Sequence, residues 1–427
     1  MTPIEFVKWQ LRSLLCIYVF LLVFEGFIRM MVPALSQIMV VSRDPIVILI
    51  YFLAFRNKLF PATKWFALWM FLGVICLFVA LALVQVPLQI ALYGFRSLFL
   101  HIPILLLFPV VFKEEHITAF VRMLIVFACF NALLMVAQYV QGPDSVLNRG
   151  VSKEFAQITA AGDKTRPPGT FTFIVGPSTF FPIFFATLLF QLRRERTWIL
   201  TIGFAALVVA TAVSSSRGLA IGLAITAVFY LIGAQVSRQI TLMQVCQYAV
   251  ALVGITAVAL SIGPIAEGAE TFQARAEAAN TSEGGARGVF NRAYDLLASA
   301  FRAAAFADPL GGGLGMGSNF ASVALGGRRA FPFAEAEWPR MVMELGPGLG
   351  FIYLFMRVGL VAAALSIAWS AVKRGFAGPL AVWAAFAPNL IAGNMHQSTL
   401  LGIAVFGGGL TLWFSKVGQN PPGESSA

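Results

Sequence analysis

The chain has 427 residues, of which 59% are hydrophobic and only 11% charged, with a formal net charge of +11. Soluble domains carry roughly 45–50% apolar and about 25% charged residues, so a soluble globular protein is excluded. The positive charge does not point to nucleic acid either, because no basic stretch interleaved with aromatics is present and much of the excess sits in short loops between apolar runs.

Taken in chain order, the apolar runs predict twelve membrane spans, at roughly 13–33, 36–55, 65–85, 90–112, 118–140, 170–191, 198–215, 218–236, 242–263, 347–372, 378–394 and 397–415. The first span carries Glu25 and Arg29, four residues apart and so on one helix face. They form either a packing pair or part of a site, since ionisable groups at membrane depth are costly. The second span is interrupted by Arg43 and Asp44, which precede Pro45 and mark a helix entrance. The fourth contains Arg96 and His101. All four cysteines (Cys16, Cys76, Cys129 and Cys246) fall inside apolar runs, so no external disulfide framework is expected.

The basic turns "RNKLFPATK" (56–64), "KEEH" (113–116), "RRER" (193–196) and "KRG" (373–375) fall, with twelve spans, on one face together with both termini. That is the cytoplasmic face by the distribution of Lys and Arg. The other face then carries two long loops, 141–169 and 264–346. The second contains arginines but no lysine, has helical composition in "ETFQARAEAANT" and "NRAYDLLASAFRAAAF", and holds a glycine-dense run.

Three groups of residues could carry chemistry on that face. Arg166 in "RPPGTF" sits where the first long loop enters span six. Ser216 and Arg217 in "SSSRGL" sit between spans seven and eight, and Arg292 lies in the large loop. Arginine forks bind phosphate oxygens bidentately and remain charged at any workable pH; each could equally anchor its helix among lipid headgroups. The run "GGGLGMGSNF" (311–320) lacks both the preceding strand and the Lys-Ser/Thr of a phosphate-binding loop, so its glycines are read as serving tight turns and close backbone approach. At the end of the large loop, "FAEAEWPRMVMELG" places Glu335 and Glu337 before a helix with Pro339 in its first turn, and Arg340 and Glu344 one turn apart on it. A carboxylate here could deprotonate a hydroxyl beside a bound phosphate, or simply mark a charged helix start. His396, between the last two spans, is either a catalytic accessory or an interface residue. No metal-binding spacing of His, Cys or carboxylates appears.

Four stretches in this order, "RPPGTF" at 166, "SSSRGLAIGL" at 214, "PLGGGLGMGSNF" at 309 and "MELGPGLGFIYLFMRVGL" at 343, resemble the O-antigen ligase and polymerase superfamily of bacterial inner-membrane proteins. "FEGFIRMMVP" and "SRDP" are similar to its oligosaccharide repeat-unit polymerases. The resemblance implies an all-α, polytopic protein of the bacterial inner membrane. By the apolar spans above it has about 12 expected transmembrane helices, nine in 1–263 with a periplasmic loop at 141–169. A large, partly helical periplasmic loop at 264–346 would precede the tenth, three helices would follow in 347–415, and 416–427 would be a cytoplasmic tail. The resemblance further implies metal- and cofactor-independent, inverting glycosyl transfer from undecaprenyl-diphosphate-linked glycans at the periplasmic face; a chain-length regulator and a flippase are candidate partners besides membrane lipid. Arg217, Arg292 and Arg166 match family arginines thought to hold the diphosphate, with Arg340 nearby. Glu344, His396 and Ser216 are accessory candidates. Family ligases carry a histidine ahead of the "E-x-G" turn as base. This chain has none between 117 and 395 and has Glu335 and Glu337 there instead, which favours a polymerase over a ligase transferring to lipid A-core. A transporter is the reading from another class, and no internal repeat supports it.

Overall fold

The computed structural model describes residues 2–142, 145–150, 166–195, 197–214, 216–239, 295, 298–326 and 336–417. They form an all-helical bundle, and among them no residue is in a strand. The principal helices are α1 (Pro3–Met31), α2 (Asp44–Arg56), α3 (Lys64–Phe78), α4 (Leu88–Phe95), α5 (Ile117–Gln141), α6 (Val175–Leu192), α7 (Trp198–Ser214), α8 (Arg217–Val236), the short α9 (Asn319–Ala324), α10 (Glu337–Lys373), α11 (Gly378–Ala392) and α12 (Ser398–Val417).

Nine helical segments among the described residues are long and apolar enough to cross a membrane, and the shorter apolar helices α7 and α11 coincide with two further expected spans. The expected span 242–263 lies outside the described residues. The fourth expected span is not one regular helix. After α4 the chain passes through a π-turn (Arg96–Leu100), a 3-10 stretch (Ile102–Leu107) and a last α-turn (Phe108–Val111). Pro103 and Pro109 explain the irregularity, since proline removes a backbone donor and clashes with the preceding turn. The second span is broken by turns at 41–43, and α2 starts at Asp44 with Pro45 in its first turn.

Helix α12 is the central post. In its most apolar window 89% of residues are buried, against 22% for Pro33–Arg56 and 28% for both Lys64–Leu83 and Arg217–Val236, which therefore face outward. Neighbours reach α12 closely because it presents glycine. A Cβ at Gly402 would collide with the Arg43 guanidinium, and one at Gly409 with the Phe108 ring. Small residues at helix contacts let backbones approach where lipid replaces water.

One end of the bundle gathers the basic turns and the outer ends of α1 and α12. Lys113 pairs with Glu5 at 3.5 Å and Arg194 with Glu114 at 2.5 Å. Arg12 donates to the Val111 carbonyl, Lys416 to that of Pro109 and Arg374 to that of Ser415. The opposite end holds the C-terminus of α1 and the N-termini of α2, α6, α8, α10 and α12.

Candidate functional site

At the end away from the basic turns, the "RPPGTF" segment is tied to two helices. The Gln138 side chain on α5 accepts from the Gly169 N–H at 2.8 Å and donates to the Gly169 carbonyl at 3.1 Å. Asn131 donates to the Thr170 hydroxyl at 2.7 Å, and the Phe27 N–H of α1 donates to the Thr170 carbonyl at 2.6 Å. This turn leads into α6, and Ser178 on α6 shares a 2.9 Å hydrogen bond with Ser216. Ser216 caps α8, accepting from the Leu219 N–H at 3.4 Å, and Arg217 is the first residue of α8. The Ser178–Ser216 bond thereby brings the starts of α6 and α8 together, with Arg166 and Arg217 on the two approaches. Burial and the neighbouring Arg217 guanidinium together hold Arg166 below the ordinary arginine range. The Nε of Arg166 is buried and has no hydrogen-bond partner. Two like charges near each other in a half-buried setting repel, and an anion between them would relieve that repulsion.

The second group forms around a break in α10. Gly346 has φ 78° and precedes Pro347, so two helices meet there at a kink. The orphan carbonyls of the first half are satisfied by the glycine-rich loop: Gly312 N–H donates to the Met343 carbonyl and Gly313 N–H to that of Glu344, both at 2.9 Å. The loop then turns back over the Glu344 side chain. Gly315 N–H donates to Oε1 at 2.6 Å and Gly317 N–H to Oε2 at 3.1 Å. Gly315 has φ 89°, and a Cβ there would strike the Ile90 carbonyl of α4. The glycines thus serve positive φ and close approach.

His396 completes this group. Its Nε2 lies 3.1 and 3.0 Å from the Glu344 oxygens, and its Nδ1 lies 2.9 Å from the Ser97 hydroxyl. The Tyr93 hydroxyl donates to the His396 carbonyl at 3.2 Å. Burial pushes the imidazole below its usual value against the pull of the Glu344 carboxylate. A neutral ring donates from Nε2 to Glu344, which leaves Nδ1 facing the Ser97 hydroxyl, a group that also donates to the Tyr93 carbonyl at 2.5 Å.

Glu337 is the first residue of α10, not a loop residue ahead of it, with Ala336 at the N-cap. It is 2% exposed. Its carboxylate is shared by Arg357, at 2.7 Å, and Arg340, and it accepts from the Met395 N–H at 3.2 Å. Arg340 also donates to the Asn394 side chain at 2.6 Å. Arg357 reaches on to the carbonyls of Leu390 and Gly393 at 2.8 and 2.9 Å, placing a cation at the C-terminus of α11. Together these groups fix the 393–397 turn that carries His396. Arg340 and Glu344 are both buried on the same half-helix. Glu335 and Arg292 lie outside the described residues.

A third set adjoins the same end. Glu25 pairs with Arg29 at 3.5 Å, as their spacing predicts, and also with Arg43 at 3.2 Å, while accepting from Ser398 at 3.0 Å. Asp44 pairs with Arg96 at 2.6 Å and with His101 at 2.9 Å, and His101 meets the Tyr18 hydroxyl at 3.1 Å. Comparison of the chain with protein-family models, curated proteins and solved structures finds no match.

Several of these residues were not marked out by sequence. Arg357 had a usable signal, a guanidinium inside an apolar run. Ser97 and Asn394 had none, because a hydroxyl or amide in a helix or turn is commonplace. Among the described residues no group of three or more His, Cys, Asp or Glu side chains is placed to hold a metal ion.

Proposed function

We propose that the chain polymerises undecaprenyl-diphosphate-linked oligosaccharide repeat units, in O-antigen or exopolysaccharide synthesis at the periplasmic face of the bacterial inner membrane. One observation carries the reading. The two arginine motifs, far apart in sequence, meet at the end of the bundle that also holds the Glu344–His396 pair, opposite the basic turns. In this reading an acceptor sugar hydroxyl attacks the anomeric carbon of the donor glycan. The bond from that carbon to the diphosphate oxygen breaks with inversion, and the lipid diphosphate leaves with the electron pair. Arg166 and Arg217 stabilise the leaving charge, and Arg292 is the further candidate for that role. The hydroxyl proton passes to a base.

The base is better sought at His396 than at Glu337. Two guanidiniums share the Glu337 carboxylate, and protonating it would leave them uncompensated in a buried setting. His396 is a neutral imidazole beside a carboxylate, so taking a proton creates an ion pair instead of an isolated charge. Glu344 then orients the ring, while Glu337 fixes the turn on which it stands. Glu335 remains the alternative carboxylate.

The test is a purified protein in proteoliposomes supplied with lipid-linked repeat units extracted from cells lacking it. The expected result is a ladder of lengthened glycans with release of undecaprenyl diphosphate, without added metal or nucleotide sugar. Transfer only when lipid A-core is added would identify a ligase. Movement of the substrate across the vesicle without bond formation would identify a transporter, a reading favoured by the buried charges at Glu25, Arg43 and Arg96.

A further inference from the structure

Residues 298–306, which precede the glycine-rich loop, are helical and are built the opposite way from a helix on a water-facing surface. The inward side is alanine. Ala300 is fully buried, and Ala303, Ala304 and, just past the helix, Ala307 pack against the core. The outward side carries Phe301 and Phe306, 63% and 86% exposed, with Arg302 beside them. A helix at a water interface turns its large apolar residues inward. Small residues inside with large apolar ones outside is the pattern of helices solvated by lipid. Leu310, Phe320, Val323 and Leu325, before, on and just after α9, are further exposed apolar side chains of the same stretch, and large apolar side chains exposed in number mark an interaction site.

The neighbour of this surface identifies its occupant. The Phe301 ring lies 5.1 Å from that of Phe351 on α10, and Phe351 stacks on Phe355 at 6.1 Å. Phe355 and Ile352 are themselves 60% and 49% exposed, on a helix long and apolar enough to span a membrane. The outward face of 298–306 is therefore continuous with the lipid-facing belt of α10. We propose that residues 298–325 form a shelf lying in the bilayer interface at the end of the bundle opposite the basic turns, with membrane lipid as the partner of its phenylalanines and Arg302 reaching up to the headgroups. The glycine-rich loop that holds Glu344 is part of this shelf, so the bilayer surface itself supports one side of the candidate site. The proposal does not depend on the glycosyl-transfer reading.

Nitroxide labelling tests it. A label is placed at Phe306→Cys and, separately, at Val323→Cys in a variant lacking the four native cysteines, reconstituted in nanodiscs of phosphatidylethanolamine and phosphatidylglycerol. Controls are Arg149→Cys, on an exposed loop, and Leu133→Cys, 71% exposed on α5. Collisions with oxygen and with a water-soluble nickel chelate report the surroundings. The expected result is oxygen accessibility well above nickel accessibility at both positions, with a depth between the two controls. Nickel accessibility equal to that at position 149 would place the shelf in water and overturn the proposal. Protection from both reagents would show a protein surface over it, from elsewhere in this chain or from a second copy, and would overturn it equally. Should the cysteine-free protein fail to assemble, Phe306→Trp in the native background with brominated lipid gives the same reading. Added tryptophan emission quenched by the bromines supports the shelf, and emission quenched only from water rejects it.

Discussion

Glu337 and Glu344 stand seven residues apart on one broken helix, and their partners assign them different work. Glu337 faces two buried guanidiniums, so replacing it removes the counter-charge from both. Breaking a buried pair from one side costs about 3–5 kcal/mol. Glu337→Gln is therefore expected to lower thermal stability sharply and to reduce turnover in step with the loss of folded protein. A stable Glu337→Gln protein whose single-turnover rate alone falls by about 10²–10⁴ would reinstate Glu337 as the base. His396→Gln should do the reverse, keeping the fold while losing the rate. The pH profile separates the cases further. Burial lowers the His396 pKa from about 6.5, so the folded ring binds its proton less readily than the unfolded one. Its contribution to stability is complete above about pH 6.5 and is lost as pH falls through the depressed folded value. Turnover that needs neutral His396 should accordingly stay level from pH 8 down past 6.5 and decline only below; a midpoint above 6.5 would rule His396 out. For the arginines, Arg217→Lys keeps the charge but not the fork. A charge-assisted hydrogen bond contributes about 1.5–3 kcal/mol, so kcat/KM should fall about ten- to a hundredfold at normal expression, and an unchanged value would return Arg217 to a headgroup anchor. At this scale the sequence was legible wherever partners are near in the chain. Glu25 and Arg29 could be paired from their spacing, and Arg166 and Arg217 could be singled out from their motifs. The Arg43–Ser398 and His396–Ser97 contacts could not, since they join residues 355 and 299 positions apart through a packing that no local periodicity encodes.

Among the elements, the glycine-rich loop makes the sharpest demand on its residue types. Its N–H groups satisfy both the broken end of α10 and the Glu344 carboxylate, and Gly315 touches the α4 backbone. Gly142 offers a control, with φ 77° and nothing within 4 Å of where a Cβ would lie. Gly142→Ala should cost only the backbone strain of φ 77°, ψ 175°, about 1–3 kcal/mol. Gly315→Ala adds a collision with backbone, and should cost more while freeing the loop. Hydrogen exchange at the Gly315 and Gly317 amides is the direct readout. Exchange should accelerate in Gly315→Ala and remain slow in Gly142→Ala, and equal protection in both would mean that the loop is not held by Glu344. The need for glycine was readable from the sequence, and so was Pro339 in a first helical turn. The break at Gly346 was not read, because Gly-Pro inside an apolar run is compatible with a continuous membrane helix whose neighbours re-satisfy the freed groups. The π and 3-10 turns after α4 were hidden in the same way, since hydropathy reports the length of an apolar run and not its winding.

For the whole molecule, hydropathy and charge placement carried most of the information. Every expected span within the described residues corresponds to a helical segment, and the contacts among Glu5, Lys113, Glu114, Arg194 and the last turn of α12 draw the 113–116 and 193–196 basic turns to one end. That clustering is what orients a polytopic protein, because short loops rich in Lys and Arg are retained in the cytoplasm. The opposite end, with Arg166, Arg217, Glu344 and His396, must then face the periplasm if the site meets a lipid-linked glycan there. Orientation is therefore the premise on which the proposed activity stands, and it can be measured without any substrate. In the cysteine-free background, Glu115→Cys and Arg149→Cys place thiols on exposed positions of the two ends. An impermeant thiol reagent added to cells with a permeabilised outer membrane should label position 149 at once and position 115 only after the inner membrane is opened. Immediate labelling at 115 with protection at 149 would invert the molecule, put the arginine pair and the Glu344–His396 group in the cytoplasm, and remove the case for a periplasmic polymerase however well the individual contacts were drawn.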